Sequence, residues 1–184
     1  MNRTSLTRAA AIIRAGGVVA YPTEACFGLG CDPRNPAAIR RILCIKRRRR
    51  NKGLILIADH RRRLLRFVDS LEVACREQIF ASWPGRHTWL LPAGPYASRW
   101  LRGDQPTLAV RVTAHRGAAA LCRLARMPIV STSANRSGRR MLRSSGAVLR
   151  EFGDEVDFVV DGRIGNQHAP SIIRHGQTGE VVRG

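Results

Sequence analysis

The run LILIA, Leu54 to Ala58, is apolar without interruption, bounded by Lys52-Gly53 before it and Asp59 after it. Five residues are too few for a helix, and the run lacks the polar alternation of a strand with one wet face. It therefore predicts a strand buried on both faces. A sheet covered on both sides needs helices as its cover, which points to an α/β architecture. Working outward, VVAY (Val18 to Tyr21), TWLLPA (from Thr88), TLAVRV (from Thr107), PIVSTS (from Pro128), DFVVDG, SIIRH and EVVR read as further strands. Helical spacing runs from Thr4 to Ala15 and stops at Gly16-Gly17, a C-cap. Asn35-Pro36 supplies an N-cap and a proline at the first helical position for AAIRRILCIK. Further helices are expected over Arg61 to Val68, Leu71 to Ser82, Gly117 to Arg126 and near Ser144 to Phe152. The expectation is one α/β domain over residues 1–184: an open, twisted sheet of mixed parallel and antiparallel strands with flanking helices, its last two strands antiparallel about HGQTGE.

The chain has 184 residues, 44% of them hydrophobic, which is ample for one buried core. Its formal charge of +19 makes it self-repelling unless polyanions are near, so nucleotides, nucleic acid or both are the expected partners. No apolar run approaches the ~20 residues needed to span a bilayer. The N-terminal apolar stretch is too short for a signal peptide, so a cytoplasmic protein without a membrane partner is expected. Five cysteines form no CxxC pair, and His60, His87, His115, His168 and His175 are scattered, so no metal site built from protein side chains is expected. Of 32 basic residues, two are lysines, Lys46 and Lys52, and both lie in CIKRRRRNKG, Cys44 to Gly53. A base composition favouring arginine codons would spare only lysines whose compact ammonium is needed. Chance survival accounts for the pair about equally well.

Four polar stretches adjoin or interrupt the strands: YPTEACFGLG, KRRRRNKG, VRVT and STSANRSG. In open α/β sheets ligands bind beyond the carboxyl ends of strands. Short hydroxyl and amide side chains beside free backbone N–H groups suit phosphate or carboxylate. Gly28 and Gly30 either admit backbone close to a ligand or simply form turns. There is no GxxxxGK[ST] loop, no GxGxxG, and no GxSxG elbow around Ser131 or Ser133. Thr23-Glu24 could be an acid/base pair, but a lone glutamate in a loop is more often a cap or salt-bridge partner. Cations and hydroxyls without a convincing nucleophile fit electrostatic catalysis on a phosphorylated substrate better than covalent catalysis.

Taken in order, YPTEACFGLGCDP, KRR followed by KGLILIA, WPGRHTWLLPA, LAVRVTAH, PIVSTSAN and PSIIRHGQTGEVVRG resemble the YrdC/TsaC family, the threonylcarbamoyl-AMP synthases of tRNA modification, in the short single-domain form. The resemblance covers about Ile12 to Arg183. It implies that L-threonine, bicarbonate or CO₂, and ATP give threonylcarbamoyl-adenylate and pyrophosphate, with Mg²⁺ accompanying ATP. Partner proteins would then carry the group to the adenosine next to the tRNA anticodon. Lys46 and Arg48 match the family's K-x-R pair and would act catalytically on the ATP phosphates. Lys52, Thr107, Ser133, Asn135 and Arg183 would complete the ATP site. Arg111 would bind the threonine carboxylate, with Thr23, Ser131 and Ser171 lining that pocket. Arg47, Arg49 and Arg50 are expected to be solvated or to touch RNA, and Trp83-Pro84-Gly85 to be a structural turn. Ala25, Arg86-His87, Arg116 and His175 depart from the family pattern.

Two other readings remain open on the sequence. One is a non-catalytic RNA-binding module of the same fold, motivated by the +19 charge. The other is a paralogue that kept the fold and handles a different carbamoyl-type substrate.

Overall fold

A computed structural model describes residues 2–71, 73–167 and 169–183. Its strands are β1 Val19–Pro22, β2 Phe27–Gly30, β3 Ile55–Ala58, β4 His87–Pro92, β5 Thr107–Val112, β6 Ile129–Ser133, β7 Phe158–Val159, β8 Ile172–His175 and β9 Val181–Arg183. The helices are α1 Arg3–Arg14, α2 Pro36–Ile45, α3 Val73–Ala81, α4 Arg99–Arg102, α5 Arg116–Ala125 and α6 Ser145–Phe152. The strands form one sheet in the order β7-β1-β2-β6-β3-β5-β4-β8-β9. β3 runs parallel to β5, β4 to β8 and β1 to β7, and the other neighbours are antiparallel, including β8 with β9. This is the mixed α/β sheet that LILIA implied.

The caps follow from chemistry. Asn35 Oδ1 accepts from the amides of Ala37 and Ala38 at 3.0 and 3.2 Å, and Pro36 starts α2 where no amide partner is needed. Gly16, at φ +89, ends the turn after α1 in a conformation that L side chains avoid.

Three segments differ from expectation. Arg61 to Val68 forms a single 3₁₀ turn, Arg61–Arg63, and then turns, because its arginines face water and only Leu64, Phe67 and Val68 are anchored in the core. Phe27–Gly30 is a strand, although its glycines disguise it as a loop. It pairs with β1, Tyr21 opposite Gly28. A side chain at Gly30 would start 2.7 Å from the Tyr21 ring, so the glycine permits close packing rather than a turn. Finally, the short helix α4 carries no sequence pattern that distinguishes it from a loop.

The two faces of the sheet are covered unequally. On one face α2, α3, α4 and α6 bury a core that includes Phe27, Leu56, Trp89, Val110 and Val130. On the other, α1 and α5 pack on Val19, Tyr21, Ile57 and Ile129. Beyond those residues the second face is bare of helix, and the cavity described below lies there. No helix among the described residues is long and apolar enough to cross a membrane.

Candidate active site

Side chains alternate across a strand, so residues two apart share a face. On β6, Ile129 lies under the helices while Ser131 and Ser133 continue the same row into the open half. On β3 the covered residue is Ile57 and the open one Ile55. On β5 the row is Arg111, Ala109 and Thr107, the other face carrying Leu108, Val110 and Val112 into the core. Pairing brings these rows together: Gly28 opposite Ser133, Ile55 opposite Ser131 and Ala109. The result is a cavity of about 490 Å³ over the sheet face. Thr23 and Glu24 from the β1–β2 connection, Arg48 from beyond α2, Ser171 just before β8 and Arg183 on β9 complete its walls. It therefore spans the first residues of β3 and β5 and the last of β6, not the carboxyl ends of the parallel strands. Helices α1 and α5 already occupy this face at the other end.

One end of the cavity is organised by a buried ion pair. Arg111 Nη2 donates to Glu24 Oε2 at 3.0 Å, and both side chains are largely buried. Glu24 Oε1 also accepts from Thr113 Oγ1 at 2.7 Å and the Ala114 amide at 3.1 Å. Burial raises the Glu24 pKa, but Arg111 and the Thr113 hydroxyl outweigh it and hold the carboxyl below its ordinary value. Glu24 is thus a salt-bridge partner and a poor base. Arg111 Nε is buried with no partner among the described residues, a donor left for something else. Thr23 Oγ1 donates to Cys26 O at 2.8 Å, which leaves its lone pairs to accept. Thr88 Oγ1 donates to Ser171 Oγ at 2.9 Å. Cys26 also lines the cavity, and burial pushes its thiol up, away from the nucleophilic thiolate.

The other end is cationic. Arg48 is fixed by Nη2 donating to Gly53 O at 2.8 Å and Nε to Lys52 O at 3.2 Å. Burial and then the neighbouring Arg183 lower its pKa, and neither guanidinium forms an ion pair among the described residues. Ser133 Oγ donates to Asn135 Oδ1 at 2.6 Å, and Asn135 Nδ2 donates to Arg139 O at 2.6 Å.

Lys46 and Lys52 lie apart from the main cavity and line an adjoining one. Lys46 is 2% exposed. Its ammonium donates to Ser133 O, to Asn135 O at 2.8 Å and to Asn135 Oδ1 at 3.2 Å, so all three protons go to the Ser133–Asn135 turn. An ammonium meets three converging oxygens where a planar guanidinium would not. Lys52 is exposed. Of the two lysines, then, only Lys46 occupies a place that explains its survival.

The other sites expected from the sequence fall as follows. Arg47 and Arg49 are exposed, while Arg50 stacks on Trp100 at 5.3 Å. Trp83 packs on Phe80 in a turn outside the cavity, and neither Arg86, His87 nor His175 lines it. No cluster of three potential metal ligands occurs among the described residues, and His168 lies outside them. Glu24 is the salt-bridge partner that a lone loop glutamate suggested, but the sequence did not name Arg111 as its partner, nor the contribution of Arg102 and Gln105, which lie at the end of α4 and just after it. A glutamate 87 positions from its arginine leaves no local signal.

A cavity on an α/β sheet whose carboxylate is already consumed, and whose remaining polar side chains are mainly cations, hydroxyls and amides, is an anion-binding site. The chain belongs to the Sua5/YciO/YrdC family, described as telomere recombination, which matches residues 11–184. It is 53% identical over 175 residues to a threonylcarbamoyl-AMP synthase of Halorhodospira halophila, covering 95% of this chain and 92% of that one. It is 50% identical over 173 residues to a synthase of the same name from Thiobacillus denitrificans, covering 94% and 92%. The crystal structure of P. abyssi Sua5 complexed with L-threonine superposes with a TM-score of 0.89 at 29% identity, covering 95% of this chain and 52% of that one. This chain thus spans about half the length of that solved relative.

Proposed function

We propose that the protein is a nucleotidyltransferase that forms threonylcarbamoyl-adenylate and pyrophosphate from L-threonine, bicarbonate or CO₂, and ATP. The observation that carries the reading is the pairing, in one cavity, of a buried Arg111 with a free Nε and a cationic end at Arg48 and Arg183. The first suits a carboxylate and the second a polyphosphate. Relatives named for this activity at about half identity over nearly the whole chain support the same choice.

In this reading Arg111, oriented by Glu24, takes the threonine carboxylate, and Thr23, Ser131 and Ser171 contact the rest of the amino acid. Arg48, Arg183, Ser133, Asn135 and Thr107 hold ATP, with Lys52 at its outer edge. Lys46 acts by fixing the Ser133–Asn135 turn and by adding positive charge beside it. Threonine's amine captures CO₂ as a carbamate. A carbamate oxygen then attacks the α-phosphorus, and the bond to pyrophosphate breaks. The substrates supply nucleophile and leaving group, so the protein aligns them and neutralises charge. Mg²⁺ fits as an ion that arrives with ATP. Glu24 already serves Arg111, Thr113 and the Ala114 amide, so phosphate and water oxygens would hold the ion. It would supply neutralisation of phosphate charge.

The adenylate would pass to proteins that modify tRNA in the cytoplasm, and the excess positive charge would favour contact with that RNA.

The test is to incubate the protein with ATP, Mg²⁺, bicarbonate and each amino acid in turn, and to detect adenylates by mass spectrometry. A product that requires threonine is expected. Absence of any threonine-dependent adenylate overturns the proposal.

A further inference from the structure

We infer that a basic trough leading out of the main cavity past Asn135 is a pyrophosphate site, the route by which that product leaves; this rests on the reaction proposed above. The main cavity shares Arg48, Ser133 and Asn135 with a neighbour of about 290 Å³. That neighbour shares Arg47, Asn135 and Ser137 with a third cavity of about 570 Å³, which adds Arg139 and Arg140. The three are therefore neighbours, with Asn135 in the wall of each.

The charge along this route is unbalanced. Arg136, in its wall, is neutralised by Glu151 at 3.2 Å and by Glu155. Arg47, Arg49, Lys52, Arg139 and Arg140 form no ion pair among the described residues. Like charges held this close raise the energy of the folded chain unless an anion joins them. Arg47 also has φ 49, in the left-handed region that favours glycine. It gives up backbone stability at a position where its side chain reaches the trough.

The ligand is identified by its chemistry. Pyrophosphate concentrates several negative charges on a small, oxygen-rich body, and a file of guanidinium groups offers it successive forked contacts. It would be released at Arg48 and Ser133, where the trough begins. The adenylate has one phosphate charge and a carboxylate held at Arg111, so the trough would draw the two products apart.

The test is calorimetric titration of inorganic pyrophosphate into the full chain, without substrates, at ~150 mM salt so that diffuse attraction is screened. Two variants are compared with the natural chain, Arg139→Ser with Arg140→Ser, and Arg47→Gly. All three positions are exposed, so the fold should be unaffected. Each variant should bind pyrophosphate roughly ten-fold more weakly, the loss of a charge-assisted contact. Product inhibition by pyrophosphate should weaken in parallel, with the threonine KM unchanged. Unaltered pyrophosphate affinity in both variants overturns the inference. So does a selective loss of duplex RNA binding, which would make the trough a nucleic-acid surface. If no adenylate forms in the assay above, the reaction falls, while the titration still decides whether the trough binds pyrophosphate.

Discussion

At one end of the cavity Arg111 lies 3.0 Å from Glu24, and the pair is buried. At the other end burial and then Arg183 lower the Arg48 pKa, and neither guanidinium forms an ion pair among the described residues. Both ends are built from arginine, yet one brings its own counter-ion and the other waits for it. The difference shows how one residue type serves two tasks. A compensated arginine is a rigid, pre-oriented donor for a small ligand, whereas uncompensated arginines are a standing field for a polyanion.

The comparison breaks most visibly in stability. Glu24→Ala leaves Arg111 buried and unpaired and should cost about 3–5 kcal/mol in urea unfolding. The carboxyl is held below its ordinary pKa, so the pair's contribution is present above the unfolded value near 4.5 and is lost as pH falls through the lower folded value. Arg48→Ala or Arg183→Ala should change stability by about 0.5 kcal/mol or less, since each removes a repulsion along with its contacts. Both should raise the ATP KM by roughly ten-fold or more through loss of a charge-assisted contact. If Glu24→Ala and Arg48→Ala destabilise equally, the two ends do not differ as described.

Lys46 sharpens the comparison because it is buried like Arg111 but has no acid beside it. Burial first, and then Arg48, push its ammonium from 10.5 down to about 8. Between those values the unfolded chain binds more protons than the folded one, so stability owed to this residue rises with pH across that window. Buried Cys26, Cys31 and Cys122, all pushed up from 9.0, act in the opposite sense as the unfolded thiols ionise. The difference between the natural chain and Lys46→Met cancels Cys31 and Cys122 and leaves only the weaker coupling between Lys46 and Cys26. It should grow by on the order of 2–3 kcal/mol from pH 8 to 10.5. A flat difference would mean that the three accepting oxygens hold the proton in place.

Much of this was legible before the structure. LILIA and the other aliphatic runs predicted the sheet, and Asn35-Pro36 the start of α2, because burial and capping act on residues near in sequence. Nine of the residues expected at the site do line the main cavity, among them Arg48, Arg111 and Ser133. What escaped depends on distant or unmarked partners. β2 hid behind Gly28 and Gly30, whose missing side chains serve a cavity and a tyrosine ring. Glu24 could be read as a salt-bridge partner, but not as the partner of Arg111, which lies 87 positions away on β5. Lys46 was expected to touch phosphate directly, but its partners include two backbone carbonyls, and a carbonyl has no letter in a sequence.

A further effect is expected at the turn that separates inward from outward charge in CIKRRRRNKG. Helix α2 ends with the amide of Arg47 donating to Cys44 O at 2.9 Å and that of Arg48 to Leu43 O at 2.9 Å, while Arg47 adopts φ 49. That left-handed residue turns the chain so that Lys46 and Arg48 are covered and Arg47 is exposed. A Cβ there costs stability that glycine would not, although glycine also gains more freedom when unfolded. Arg47→Gly should therefore be more stable than Arg47→Ala by about 1 kcal/mol in urea unfolding. Both variants lose the same charge, so their difference isolates the backbone. Equal stability of the two would show that the turn is unstrained, and that retaining arginine at this position costs the fold nothing.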